Sequence, residues 1–229
     1  MIGARNGSVA AVSAVSAAAA AADASQLASA RQVVHAARRG RPQLTGPQRT
    51  SRENDNFVSD FFQASRLHFI GSWKQRYAEL LETLPPAPPT PPPAPTGERV
   101  YLHVDMDCFF CAVAIRGRPA LAGLPLVVSW SDSSKGNAEI ASANYAARAF
   151  GVKNGMWVKA AKELCPELLV MPYEFDKYAT TAELMYMLVF ERTPHVMGVS
   201  VDECYADVTG CDSDPEVRST PPLPPLPPP

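Results

Sequence analysis

VYLHVDMDCFFCAVA, residues 100–114, runs from a strand into a helix across a pair of acids. Val100 to Val104 is apolar and β-branched, which reads as a buried strand, and Phe109, Val113 and Ala114 recur at helical spacing. Asp105 and Asp107 therefore close a strand. A second acid pair lies far downstream, where Val196 to Val201 and Tyr205 to Val208 read as two short strands with Asp202 and Glu203 at the hairpin tip. If the first strand and this hairpin are neighbours in one sheet, the acids gather at one edge of it.

Crowded carboxylates repel one another unless a divalent cation neutralises them, and oxygen-only ligation suits magnesium. Magnesium keeps positions open for phosphate oxygens, so the chemistry that follows is phosphoryl or nucleotidyl transfer. The plainer reading is that strand-end acids are solvated turn residues or caps.

Between the acids the chain reads as mixed α and β. A strand is expected at Leu124 to Ser129 and another at Ala138 to Ser142, the latter running into a helix from Asn144 to Phe150 that Gly151 and the Asn154-Gly155 turn stop. Val158 to Leu164 reads as a short helix closed by Pro166, Leu168 to Met171 as a strand, and Phe175 to Phe190 as a long helix. Upstream, Phe57, Phe61 and Phe62, then Trp73, Tyr77, Leu80, Leu81 and Leu84, recur at steps of three and four. They place two aromatic helices around a break at Ser65, Arg66, Leu67 and His68. A helical pair this short must pack on the domain that follows it.

Proline and charge divide the 229 residues further. Eight of the 23 prolines lie in 85–95 and seven in 221–229. Neither tract can be core, because proline lacks the backbone donor. The first is a polyproline linker able to reach ~30 Å. Residues 1–50 carry six arginines against one acid, and their alanine- and serine-rich composition fits a disordered basic arm, a transit peptide or an over-extended start. Residues 98–212 hold ten basic and fifteen acidic side chains. That balance argues against a self-sufficient grip on nucleic acid and suits a site that collects cations. The alanine-rich stretch near 9–22 is too weakly hydrophobic to span a membrane, so no membrane partner is expected. Five cysteines with no secretory signal suit a reduced compartment, and Cys108 and Cys111, lacking a second pair at zinc spacing, are not read as a metal or redox site.

Three strings then carry a resemblance: HVDMDCFF at 103–110, ASANYAARAFGVKNGM at 141–156 and SVDECYAD at 200–207. In this order they resemble the palm and fingers of the Y-family translesion DNA polymerases. The resemblance implies an α+β fold, a partial palm with a ferredoxin-like sheet and small α/β fingers, preceded by a helical extension and flanked by disordered segments. The boundaries expected are an arm over 1–53, the extension over 54–84, a linker over 85–97, palm over 98–130, fingers over 131–172, palm again over 173–212, and a tail over 213–229. It further implies two magnesium ions held by Asp105, the backbone carbonyl of Met106, Asp202 and Glu203. Cys108, Phe109 and Phe110 would lie under the triphosphate and sugar of the incoming nucleotide. Phe110, if it is not a core ring, would act as the gate against ribonucleotides. Tyr145 and Arg148, three apart on one helix face, would reach phosphate oxygens. Asp107 and Asp207 are left as structural acids.

The segment FVSDFFQASRLHFIGSWK at 57–74 resembles the extension of one branch, the Rev-type deoxycytidyl transferases. By that resemblance Arg66 pairs with incoming dCTP and Leu67 fills the place of the displaced template guanine. A guanidinium does offer fixed donors to the acceptor edge of cytosine. The partners implied are primer-template DNA, dCTP and other translesion polymerase subunits, in the nucleus. Beyond Cys211 the sequence DSDPEVRSTPPLPPLPPP has no counterpart in the family, and the rest of the palm, the thumb and the little finger are not found. That pattern looks like a truncated isoform, a fragment or a faulty gene model. A non-catalytic remnant using its proline tail as a ligand for an SH3- or WW-type groove, or a cyclase-type palm, is the competing expectation.

Overall fold

The computed structural model describes residues 24–39, 57–82, 99–132, 138–209 and 211. The arm expected over 1–53 thus lies outside the described residues except for 24–39, and the linker over 85–97 and the tail over 213–229 lie outside them altogether. Helices α1 (Ala24–Arg39), α2 (Phe57–Ala64) and α3 (Arg66–Glu82) precede strand β1 (Tyr101–Asp105) and helix α4 (Phe109–Ile115). Then come β2 (Leu126–Val128), β3 (Ser142–Ala143), α5 (Tyr145–Arg148), α6 (Val158–Leu164), β4 (Leu169–Met171), α7 (Phe175–Phe190), β5 (Val196–Gly198) and β6 (Glu203–Asp207).

Two compact units result. One holds the described parts of Met1–Ala64 and Cys108–Glu174, the other those of Ser65–Asp107 and Phe175–Pro228. The segment 108–130, expected with the palm, therefore shares a unit with 131–172. The reason is sheet pairing: β2 is the centre strand of the order β3-β2-β4, antiparallel to β3 and parallel to β4.

In this unit Val127, Ile140, Val152, Val158, Leu168 and Val170 are buried together with small residues such as Ala143 and Ala147. The strand expected from Ala138 to Ser142 is reduced to Ser142–Ala143, because Ile140 bonds instead to the following turn. Its N–H donates to Met156 O at 2.9 Å and its carbonyl accepts from Gly155 N at 2.8 Å. Gly155, at φ 80°, supplies the left-handed turn that this requires. Arg118 grips Glu174 through two bonds of 2.6 Å each, in a bidentate geometry that fixes the exit from β4.

Helix α1 departs from the disordered arm. It lies on β4 and the 3₁₀ turn Pro119–Leu121. Ala30 is fully buried, Arg38 donates to Val170 O at 2.6 Å, and Gln26 to Ala122 O at 3.1 Å. Ala30 is the one fully covered side chain on the helix, so composition did not reveal the docking.

In the second unit α3 packs on α7 through rings. Phe69 stacks on Phe175 with centroids 4.9 Å apart, and Trp73 and Tyr77 meet Tyr186 at 5.4 and 5.1 Å. The break between α2 and α3 is shorter than expected. Ser65 alone separates them, and its hydroxyl accepts from His68 N at 3.3 Å, so Ser65 caps α3 and Arg66 and Leu67 form its first turn rather than a loop. The sheet order is β1-β6-β5, antiparallel throughout. Strand β1 is not buried: Tyr101 and Leu102 are exposed, because β1 is an edge strand and apolar composition does not by itself ensure burial. Among the described residues no helix is long and apolar enough to cross a membrane.

Candidate active site

Antiparallel pairing of β1 with β6 aligns Tyr101 with Asp207, His103 with Tyr205 and Asp105 with Glu203. The last pair puts two carboxylates opposite each other at one end of the sheet. Just beyond, Met106 N donates to Asp202 O at 3.0 Å, which joins the two chain segments that leave this end. Register thus brings Asp105 opposite Glu203, and the backbone bond brings Met106 beside Asp202. The tip differs in detail, since Glu203 opens β6 and only Asp202 lies in the turn.

The acids are unequal. Burial pushes the Asp202 carboxyl above its ordinary value, a hydrogen bond from Ser200 opposes that, and the charges of Asp105 and Glu203 add to it. Glu203 Oε1 lies 2.8 Å from His103 Nε2, and the His103 ring stacks on Tyr205 at 4.5 Å. Asp207, at the other end of β6, is held below the usual carboxylate range by Thr209 and then by Arg99, whose guanidinium is 2.8 Å away. It is a structural acid. Asp107 follows β1 in a turn.

Among the described residues no group of three His, Cys, Asp or Glu side chains is arranged to hold a metal ion. The donor set nevertheless fits a hard divalent cation in kind: every donor is an oxygen, and the charges around Asp202 are of one sign. As they stand, Glu203 is engaged by His103 and Asp202 by Ser200.

Cys108, Phe109, Phe110, Tyr145 and Arg148 belong to the first unit. Cys108 caps α4 in the left-handed region at φ 48° and ψ 41°, so the chain reverses sharply there. Phe109 and Phe110 are buried, and Phe110 meets Tyr173 edge-to-face at 6.3 Å. Cys111 is buried and its thiol is pushed up to about 12 by burial, an inert group. All five cysteines are free. Tyr145 and Arg148 do share one face of α5: the guanidinium sits 5.3 Å over the exposed Tyr145 ring while its Nε donates to Ala143 O at 2.9 Å. Asn144, expected as the start of the helix, fixes it as its cap. Its Oδ1 accepts from Ala147 N and Leu126 N, and its Nδ2 donates to Leu124 O. An asparagine before a helix was the available signal. In the second unit Arg66 is half-buried and Leu67 is 73% exposed.

Residues 104–219 match the impB/mucB/samB family. The chain belongs to that family, the Y-family of DNA polymerases. DNA repair protein REV1 of Arabidopsis thaliana is 42% identical over 162 residues, covering 69% of this chain and 15% of its own length. DNA polymerase IV of a Marinomonas strain is 39% identical over 115 residues, or 50% of this chain and 32% of that protein. The chain therefore spans less than a third of the length of either relative. Among solved structures, a Y-family DNA polymerase chimera of Dbh and Dpo4 is similar at a TM-score of 0.47 and 31% identity, over 52% of this chain and 35% of that one.

Proposed function

We propose that this chain inserts dCMP opposite guanine or abasic sites during translesion synthesis in the nucleus, as a Rev-type deoxycytidyl transferase. One observation carries the reading: the register that sets Asp105 opposite Glu203, with Met106 bonded to Asp202 beside them. Asp105, Asp202, Glu203 and the Met106 carbonyl would hold two magnesium ions. When bound, such a pair activates the primer hydroxyl and neutralises the charge on the departing pyrophosphate.

The chain's own residues do the rest. The first N–H groups of α4, where the chain reverses at Cys108, would meet triphosphate oxygens. Phe110 closes the space beside the sugar. Tyr145 and Arg148 present a phenol and a guanidinium on one face, both donors to phosphate. Arg66, in the first turn of α3, offers its guanidinium fork to cytosine, and the exposed Leu67 takes the place of the template base. Similarity to REV1 of Arabidopsis thaliana supports the branch.

Primer extension by the full chain with magnesium and one dNTP at a time tests this. Addition of dCMP opposite both guanine and an abasic site is expected. No addition with any nucleotide contradicts it and favours a non-catalytic interaction module.

A further inference from the structure

The turn bearing Asp202 and Glu203 is held from behind by a buried ring. Tyr186 on α7 has no exposure, and its hydroxyl lies 2.8 Å from Ser200 O and 2.9 Å from Glu203 O, a donor shared between the two carbonyls that bracket the acids. Inside the turn Val199 N and Ser200 N both donate to Glu203 O, at 3.0 and 3.1 Å.

The ring is itself clamped. Trp73 and Tyr77 of α3 contact one side, Phe190 of α7 lies 6.4 Å away, and Tyr77 donates to Val196 O at 2.8 Å on the strand entering the turn. Packing leaves no slack, since a Cβ on Gly198 would come within 3.0 Å of both the Tyr186 hydroxyl and the Tyr77 ring. The extension helix therefore reaches the acid-bearing turn by way of the Tyr186 phenol, with Tyr77 bonded to the strand that enters it.

We propose that Tyr186 is a positioning residue: gripped by Trp73 and Tyr77, its hydroxyl ties the Ser200 and Glu203 carbonyls and so fixes the turn that presents Asp202 and Glu203. The consequence for cation binding rests on the reading of those two acids as ligands. The brace itself does not. Removing the hydroxyl takes a shared donor from both carbonyls without opening a cavity, because the ring remains.

The test compares the full-length parent chain with Tyr186→Phe and Tyr77→Phe by amide hydrogen exchange and by titration with Mn²⁺ alone. Tyr186→Phe should speed exchange at Val199 and Ser200 by roughly tenfold, the effect of about one net hydrogen bond, with α3 and α7 amides unchanged. Tyr77→Phe, which removes the bond to Val196 but leaves the Tyr186 hydroxyl in place, should change those two amides less than Tyr186→Phe does. Mn²⁺ should bind Tyr186→Phe several-fold more weakly than the parent. Gly198→Ala, which crowds the same hydroxyl, should reproduce the local exchange change. Unchanged exchange at Val199 and Ser200 in Tyr186→Phe, or an increase spread evenly over the unit, overturns the brace. Equal Mn²⁺ affinity in parent and variant overturns its role in positioning ligands. A parent chain that binds no Mn²⁺ sinks the cation-site reading instead, while the exchange result still decides the brace.

Discussion

Met106 donates its backbone N–H to the carbonyl oxygen of Asp202 at 3.0 Å, and this one bond ties the exit of the first strand to the turn before the last. Together with the pairing of Asp105 and Glu203 it fixes where the acids stand. Four consequences can be measured.

Asp202 carries a cost. Its folded carboxyl is raised by burial and then by the neighbouring acids, so the folded state holds the proton more tightly than the unfolded chain does. The ionised form therefore weakens the fold above the raised pKa, and the penalty disappears as pH falls through it. Asp202→Asn should abolish dCMP addition yet raise Tm near neutral pH by on the order of a few degrees, with the gain fading in acid. A Tm at neutral pH below that of the parent would contradict this.

Asp207 behaves oppositely. Thr209 and Arg99 hold its carboxyl low, so its contribution is present above the unfolded value and is lost as pH falls through the folded one. Asp207→Asn should lower Tm at neutral pH and converge with the parent in strong acid. Thermal melts across pH check both acids in one experiment, and parallel profiles for parent and variant would remove the assignment.

Phe110 has two roles to separate. It is buried against Tyr173, so Phe110→Ala should destabilise the chain by about 3 kcal/mol, the low end for a buried ring. If it also closes the space beside the sugar, the kcat/KM preference for dCTP over rCTP should fall in both Phe110→Ala and the milder Phe110→Leu. An unchanged preference alongside a lowered Tm would leave Phe110 as core alone.

Which parts of this were legible in advance follows from how each is encoded. The limits of α6 and α7 were readable because Pro166 stops one and a sustained apolar period marks the other. The acid end of the sheet was readable because two short apolar runs flank Asp202 and Glu203. The exposure of β1 was not, since its apolar run is the same whether the strand is central or at an edge, and only the partner order decides. Helix α1 escaped because its one fully buried side chain is an alanine, Ala30, and Arg38 ties it down by a bond to Val170 O. The cap at Ser65 was present in the sequence as a serine before a helical period, but the break was read as four residues long. Tyr186 carries no signal of its own in the sequence of α7. Its significance lies in where the hydroxyl ends, which no periodicity reports.

The most direct test of the central claim is the selectivity of insertion with and without the Arg66 guanidinium. Arg66 sits in the first turn of α3, beside the exposed Leu67. The measurement is kcat/KM for dCTP against dATP, dGTP and dTTP, opposite guanine and opposite an abasic site, for the parent, Arg66→Ala and Arg66→Lys. The parent should favour dCTP on both templates. Arg66→Ala should lose about 1 to 3 kcal/mol of that preference, the range for a good bidentate base contact, and Arg66→Lys should not restore it. Preference for dCTP opposite the abasic site that survives both substitutions would contradict the account.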